Sequence, residues 1–131
     1  MQQLVQVETI LNCTLPESFK SFLSRWNGVI LFKGESRPGC RIFDTDTMMS
    51  RNRIWQTQEL LPEEQAEDIV LFADAGDGDF FAFDVSKDEV EGKYPVLDGD
   101  HNFAPGEWNV ICDNFEAWLD RFVKAQGMMF W

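Results

Sequence analysis

The sequence is short of most things that catalysis needs. It contains one histidine and three cysteines. A lone histidine, His101, cannot build a histidine metal cluster or a Ser/His/Asp triad within one chain. Cys13, Cys40 and Cys112 are odd in number, far apart and free of C-x-x-C spacing. They therefore read as reduced packing residues, not as a disulfide frame or a zinc site. No Walker A loop, G-x-G-x-x-G or G-x-S-x-G motif occurs, and there is no internal repeat or low-complexity tract. No apolar run nears the roughly 20 residues that span a bilayer. The opening MQQLVQVETIL lacks a basic region and a small-residue cleavage site, so the expected location is the cytoplasm.

Basic residues are also scarce, and unevenly so. Residues 1–56 hold five acids and seven bases, whereas the rest of the chain holds eighteen acids and four bases. The net charge is −12. Such a field repels nucleic-acid phosphates and anionic membranes and attracts basic proteins. Acidity alone would also serve solubility.

The chain does have ample material for one core. At 131 residues, 44% hydrophobic and 14% aromatic, it reads as a single domain over 1–131 that needs no staples. Ile69 to Val85, IVLFADAGDGDFFAFDV, is its organising stretch. Two runs of β-branched and aromatic residues flank Ala75 to Asp79, where glycines supply the positive φ of a tight reversal. This predicts a central hairpin.

Before the hairpin, Leu4, Val7, Ile10 and Leu11 suggest a short amphipathic helix ending near Asn12. Thr14-Leu15-Pro16-Glu17 has the form of a capping box, with Thr14 at the N-cap, opening a second helix. Its stripe is Leu15, Phe19, Phe22, Leu23 and Trp26, and Asn27-Gly28 is its stop. Strands are expected at Val29 to Phe32 and Cys40 to Phe43, and a helix from about Asp44 to Trp55. Gln56 to Asp68 reads as a polar crossing of the surface.

After the hairpin, Ser86 to Lys93 reads as a charged loop. A strand is expected from Tyr94 to Leu97, stopping at Asp98-Gly99-Asp100, and another at Trp108 to Cys112. Asp113-Asn114-Phe115-Glu116 caps a final helix with the stripe Phe115, Trp118, Leu119, Phe122 and Val123. The apolar tail, Met128 to Trp131, must pack back on the body or meet another subunit as a homodimer. Grouped strands argue for an α+β fold: an antiparallel-rich mixed sheet with helices packed mainly on one face.

The acidic turns invite comparison with calcium loops. Asp98-Gly99-Asp100-His101-Asn102 fits the first five positions of an EF-hand loop, but Phe103 replaces the required glycine and Asn109 the bidentate glutamate. Asp74, Asp77 and Asp79 fit worse, since the third ligand position falls on Phe81. No metal or other cofactor is expected, and paired carboxylates without a signature do not define a glycosidase.

Four stretches together carry a resemblance: LPESFKSFLSRWNG, IVLFADAGDGDFFAFD, YPVLDGDHN and NFEAWLDRF. In this order and spacing they resemble the SUKH superfamily, the Smi/Knr-like domain. Leu15-Pro16 opening a helix that ends in Asn27-Gly28, and Gly78-Asp79 leading a strand that ends in Phe83-Asp84, are the most specific parts. Val29 stands where many relatives have another glycine, and the tail has no counterpart. The resemblance implies a non-enzymatic binding module. Bacterial members look like immunity proteins that neutralise a polymorphic toxin, often a nuclease or deaminase; fungal relatives are cell-wall-synthesis regulators.

On the immunity reading the partner is a basic toxin domain. The expected contact is Asp74, Asp77, Asp79, Asp98 and Asp100 with a nearby aromatic, Trp108, for which a core position is the competing reading. A regulatory or scaffold module of a housekeeping pathway is the alternative. Neither involves nucleic acid or membrane directly.

Overall fold

A computed structural model describes residues 2–34, 39–56, 69–86, 93–100, 102–103, 107–128 and 130–131. The crossing expected at Gln56 to Asp68 and the loop at Ser86 to Lys93 fall largely outside the described residues, as does His101.

The elements in chain order are α1 (Gln2–Leu11), α2 (Glu17–Arg25), β1 (Val29–Leu31), β2 (Cys40–Ile42), α3 (Thr45–Gln56), β3 (Ile69–Asp74), β4 (Phe80–Asp84), β5 (Val96–Gly99), β6 (Val110–Cys112) and α4 (Phe115–Lys124). The six strands form one sheet in the order β1-β2-β3-β4-β5-β6, each neighbour antiparallel. This is a single-domain α+β fold built on the expected hairpin.

The face of the sheet that carries Phe81 and Phe83 is covered by α2 and α4. Phe19 of α2 meets Phe72, Phe83 and Phe115 edge-on at 5.8, 5.4 and 5.1 Å. Trp118 of α4 meets Phe72 and Phe81, each at 5.0 Å. The register slips between Leu71 and Ala73, so Phe72 is an extra residue opposite β4. That bulge lets Phe72 stack on Phe83 at 4.3 Å in the middle of the cluster.

Asparagines hold α3 and α4 in place. The α4 cap is Asn114, whose Oδ1 accepts from Ala117 N–H at 2.9 Å. At α3, Asp44 Oδ1 accepts from Thr47 N–H, and Asn27 Oδ1 accepts from Thr45 N–H at 3.0 Å. Gly28, at φ +94°, runs so close to Asp44 that an added Cβ would lie 3.0 Å from that residue's Cβ. The Asn27-Gly28 pair therefore serves the start of α3 as well as the end of α2.

Asn52 is fully buried in α3. Its amide donates to Leu71 C=O at 2.9 Å, and its Oδ1 accepts from Leu71 N–H at 2.7 Å. β2 pairs with β3 at Asp74 and Ala73, and Phe43 N–H still reaches Phe72 C=O. Further along that edge Asn52 supplies the missing strand's hydrogen bonds.

Several expectations need correction: Ile10 and Val123, members of the first and last helix stripes, are exposed, and three segments differ from their reading. The Thr14 capping box does not form: Pro16 is the N-cap, with no side-chain cap bond, and Glu8 of α1 accepts from Leu15 N–H at 2.8 Å instead. Trp26 leaves the buried stripe of α2, because the helix stops at Arg25 and Trp26 is extended, at φ −132°; its ring lies exposed under the Arg25 guanidinium. The strand expected from Tyr94 to Leu97 instead runs Val96–Gly99, since Asp98 and Gly99 continue pairing with Phe81 and Phe80. Tyr94 is spent on a tether, donating its hydroxyl to Thr14 C=O at 2.7 Å.

Candidate functional site

The candidate site lies at the end of the sheet where β3 turns into β4. Ala75 N–H donates to Asp79 C=O, closing the reversal, while Gly76 and Gly78 take φ of +91° and +97°. Asp74 Oδ1 accepts from Gly76 N–H at 2.7 Å, and Asp77 Oδ1 accepts from Asp79 N–H at 3.1 Å. These local bonds hold the turn in one shape. Two strands of register then bring in a second set of acids, because Asp98 on β5 lies opposite Phe81 and Asp100 follows at the strand's end.

Asp77, Asp79, Asp98 and Asp100 line one cavity of about 300 Å³. Phe32, Trp131 and the nearly buried Phe81 and Phe122 also line it, together with Cys40, Ala75 and glycines. Phe32 has a left-handed backbone, φ +60°, and its ring lies edge-on to Phe122 at 5.7 Å.

Trp131 completes the wall. Gln126 and Gly127, both at positive φ, reverse the chain after α4. The Trp131 ring lies edge-on to Phe81 at 5.6 Å, and its Nε1 donates to Asp98 Oδ2 at 2.8 Å. Of the two fates open to the tail, packing back on the body is what Trp131 does. Burial pushes the Asp98 carboxyl above its ordinary range, against the Trp131 hydrogen bond, and the charges of Asp79, Asp100 and Asp77 push it the same way as burial.

Four of the six residues singled out in the sequence thus meet in one place. The other two stand behind it. Asp74 faces the turn backbone and is not part of the cavity wall. Trp108 packs beside Gly99, on the face of the sheet away from Asp98, and stacks on Trp55 at 5.2 Å. Its Nε1 donates to the carbonyls of Asp100 and Phe103 at 3.0 and 3.1 Å. It therefore fixes the backbone that carries Asp100. Sequence reasoning missed Phe32, Phe81, Phe122 and Trp131 as cavity residues. The two-residue period of β4 put Phe81 with Phe83, but only the β4–β5 register puts it beside Asp98.

The chemistry available is limited. All three cysteines are free. Burial pushes the Cys13 thiol up to about 11 and the Cys40 thiol up to about 12, with Glu8 and Asp74 adding to the shift, so neither forms a thiolate nucleophile at neutral pH. Burial raises Cys112 as well. Among the described residues no three His, Cys, Asp or Glu side chains are grouped to hold a metal ion. No helix among them is long and apolar enough to cross a membrane.

The pattern of the family described as SMI1 / KNR4 family (SUKH-1) matches residues 2–121. The match takes in both acidic turns, all six strands and most of α4. Among curated proteins, none matches the chain.

Proposed function

The chain belongs to the SMI1/KNR4 family (SUKH-1), and from that premise we propose that it is a non-enzymatic immunity protein. It binds a basic toxin domain, a nuclease or deaminase, through the acidic end of its sheet. One observation carries this reading: carboxylates from the β3–β4 turn and from the end of β5 line a single cavity, where burial and like charges hold the Asp98 carboxyl above its ordinary range. Burial of a carboxylate beside like charges opposes its ionisation, and a cationic partner offsets that cost.

A nuclease must present basic residues to hold phosphates, so an acidic surface can occupy the same ground. The field speeds encounter and sets register more than it adds raw affinity. In this reading Asp77, Asp79, Asp98 and Asp100 make the contact, and Asp74 and Trp108 hold the two turns in shape.

The test is co-expression with the product of the neighbouring toxin gene. Survival of the cells, with a complex that passes gel filtration at low salt and weakens as salt rises, is the expected result. Cell death with no complex at low salt sinks the proposal. A gene neighbourhood without a toxin, together with a housekeeping partner in the complex, points to the regulatory module instead.

A further inference from the structure

The cavity is more specific than an acidic surface needs to be. Electrostatic attraction alone is served by exposed carboxylates on any convex face, yet here the acids border a hollow that Phe32, Trp131 and the nearly buried Phe81 and Phe122 also line, with Cys40, Ala75 and glycines between them. At about 300 Å³ the hollow sits at the small end of ligand sites, the scale of one long side chain. A bare metal ion would gain nothing from the rings, and an apolar side chain would strand the carboxylates without water.

A planar, weakly hydrated cation satisfies both kinds of wall. Aromatic faces attract it, and carboxylates approaching from different directions can each accept from its several N–H groups. Lysine offers a compact, strongly hydrated charge that stacks poorly on rings. We infer that the cavity receives an arginine side chain of the partner protein, its guanidinium against the aromatic wall and hydrogen-bonded by Asp98 and the acids of the facing turn. The inference rests on the proposed role of this end of the sheet as the partner surface. Trp131 already occupies Oδ2 of Asp98, so the guanidinium takes Oδ1. The Trp131 indole then reports directly on occupancy.

The probe is N-acetyl-arginine N-methylamide, added to the full chain while the Trp131 indole N–H is followed by NMR, its resonance identified by its loss in Trp131→Phe. A saturable shift is expected, absent with the neutral citrulline analogue and weaker with the lysine analogue. Asp98→Asn keeps an acceptor for Trp131 and should lower the affinity about tenfold. Asp100→Asn provides the same test from the cavity's edge should Asp98→Asn fail to fold. An equal response to citrulline, lysine-analogue binding as tight as that of arginine, or unchanged affinity in the variants overturns the inference. Protection from the toxin without arginine binding defeats the cavity's role alone; arginine binding without protection defeats the immunity reading alone.

Discussion

Phe83 and Phe81 are two residues apart on β4 and point to the same face of the sheet, yet their surroundings differ completely. Phe83, opposite Val96, is enclosed by Phe19, Phe72 and Phe115. Phe81, opposite Asp98, has Trp118 and Phe122 on one side and the carboxylate-lined cavity on the other. Stability and charge are thus concentrated in adjacent parts of one face. The core end is closed and apolar, so its worth scales with the area removed from water. At the acidic end burial, helped by the neighbouring acids, opposes ionisation of Asp98, a cost that a cation would offset.

Substitutions on either side should break or sharpen this division. The largest effect is expected from Phe72→Ala, which empties the bulge position at the centre of the cluster. It should cost about 3–5 kcal/mol in chemical denaturation. A loss below about 1 kcal/mol would mean that the cluster does not hold the sheet.

Next comes Asn52→Ala, which leaves both Leu71 backbone groups buried without their side-chain partner. About 2–3 kcal/mol should be lost, and faster amide exchange at Leu71 would locate the damage on β3. Unchanged exchange there would show that the β3 edge does not depend on α3.

The smallest effect, and of opposite sign, is expected from Asp98→Asn. The folded Asp98 carboxyl is raised above its ordinary 3.8 by burial and by its acidic neighbours. The native state therefore binds its proton more tightly than the unfolded chain does. Its contribution to stability is full below the ordinary value and is lost as pH rises through the raised folded value. Removing the charge should lift the melting temperature at neutral pH, with the gain shrinking as the pH falls through that window and gone below it. A variant that melts lower than the parent at neutral pH would show that the carboxylate belongs to the stabilising half.

The elements most legible in the sequence were those whose signals are local. The AGDGD reversal appears nearly as its spacing predicts, and so does the last helix: of its stripe Phe115, Trp118, Leu119, Phe122 and Val123 only Val123 is exposed, and the cap falls on Asn114, one residue after the Asp113 that the box spacing gives. The α2 cap was misread because Thr14 has the right spacing, whereas the acceptor that reaches Leu15 N–H comes from α1. Asn52 gave no signal at all. An asparagine in a weakly amphipathic helix looks like a surface residue until the neighbouring strand is seen to end beside it.

At the site, composition identified the acids but could not tell Asp74, engaged by its own turn, from Asp98. Trp108 was the aromatic expected beside them, and Trp131 was read only as part of the apolar tail. Register and the reversal after α4 put one behind the sheet and the other in the cavity.

Charge imbalance, helix stripes, turn glycines and the family pattern are properties of neighbouring residues, and the chain determines them before it folds. Which carboxylates share a cavity, which tryptophan meets them and which backbone edge an asparagine completes depend on segments tens of residues apart. Only the pairing of strands and the packing of helices on them decides those matters, because burial and Coulomb repulsion act through distance in space and not along the sequence.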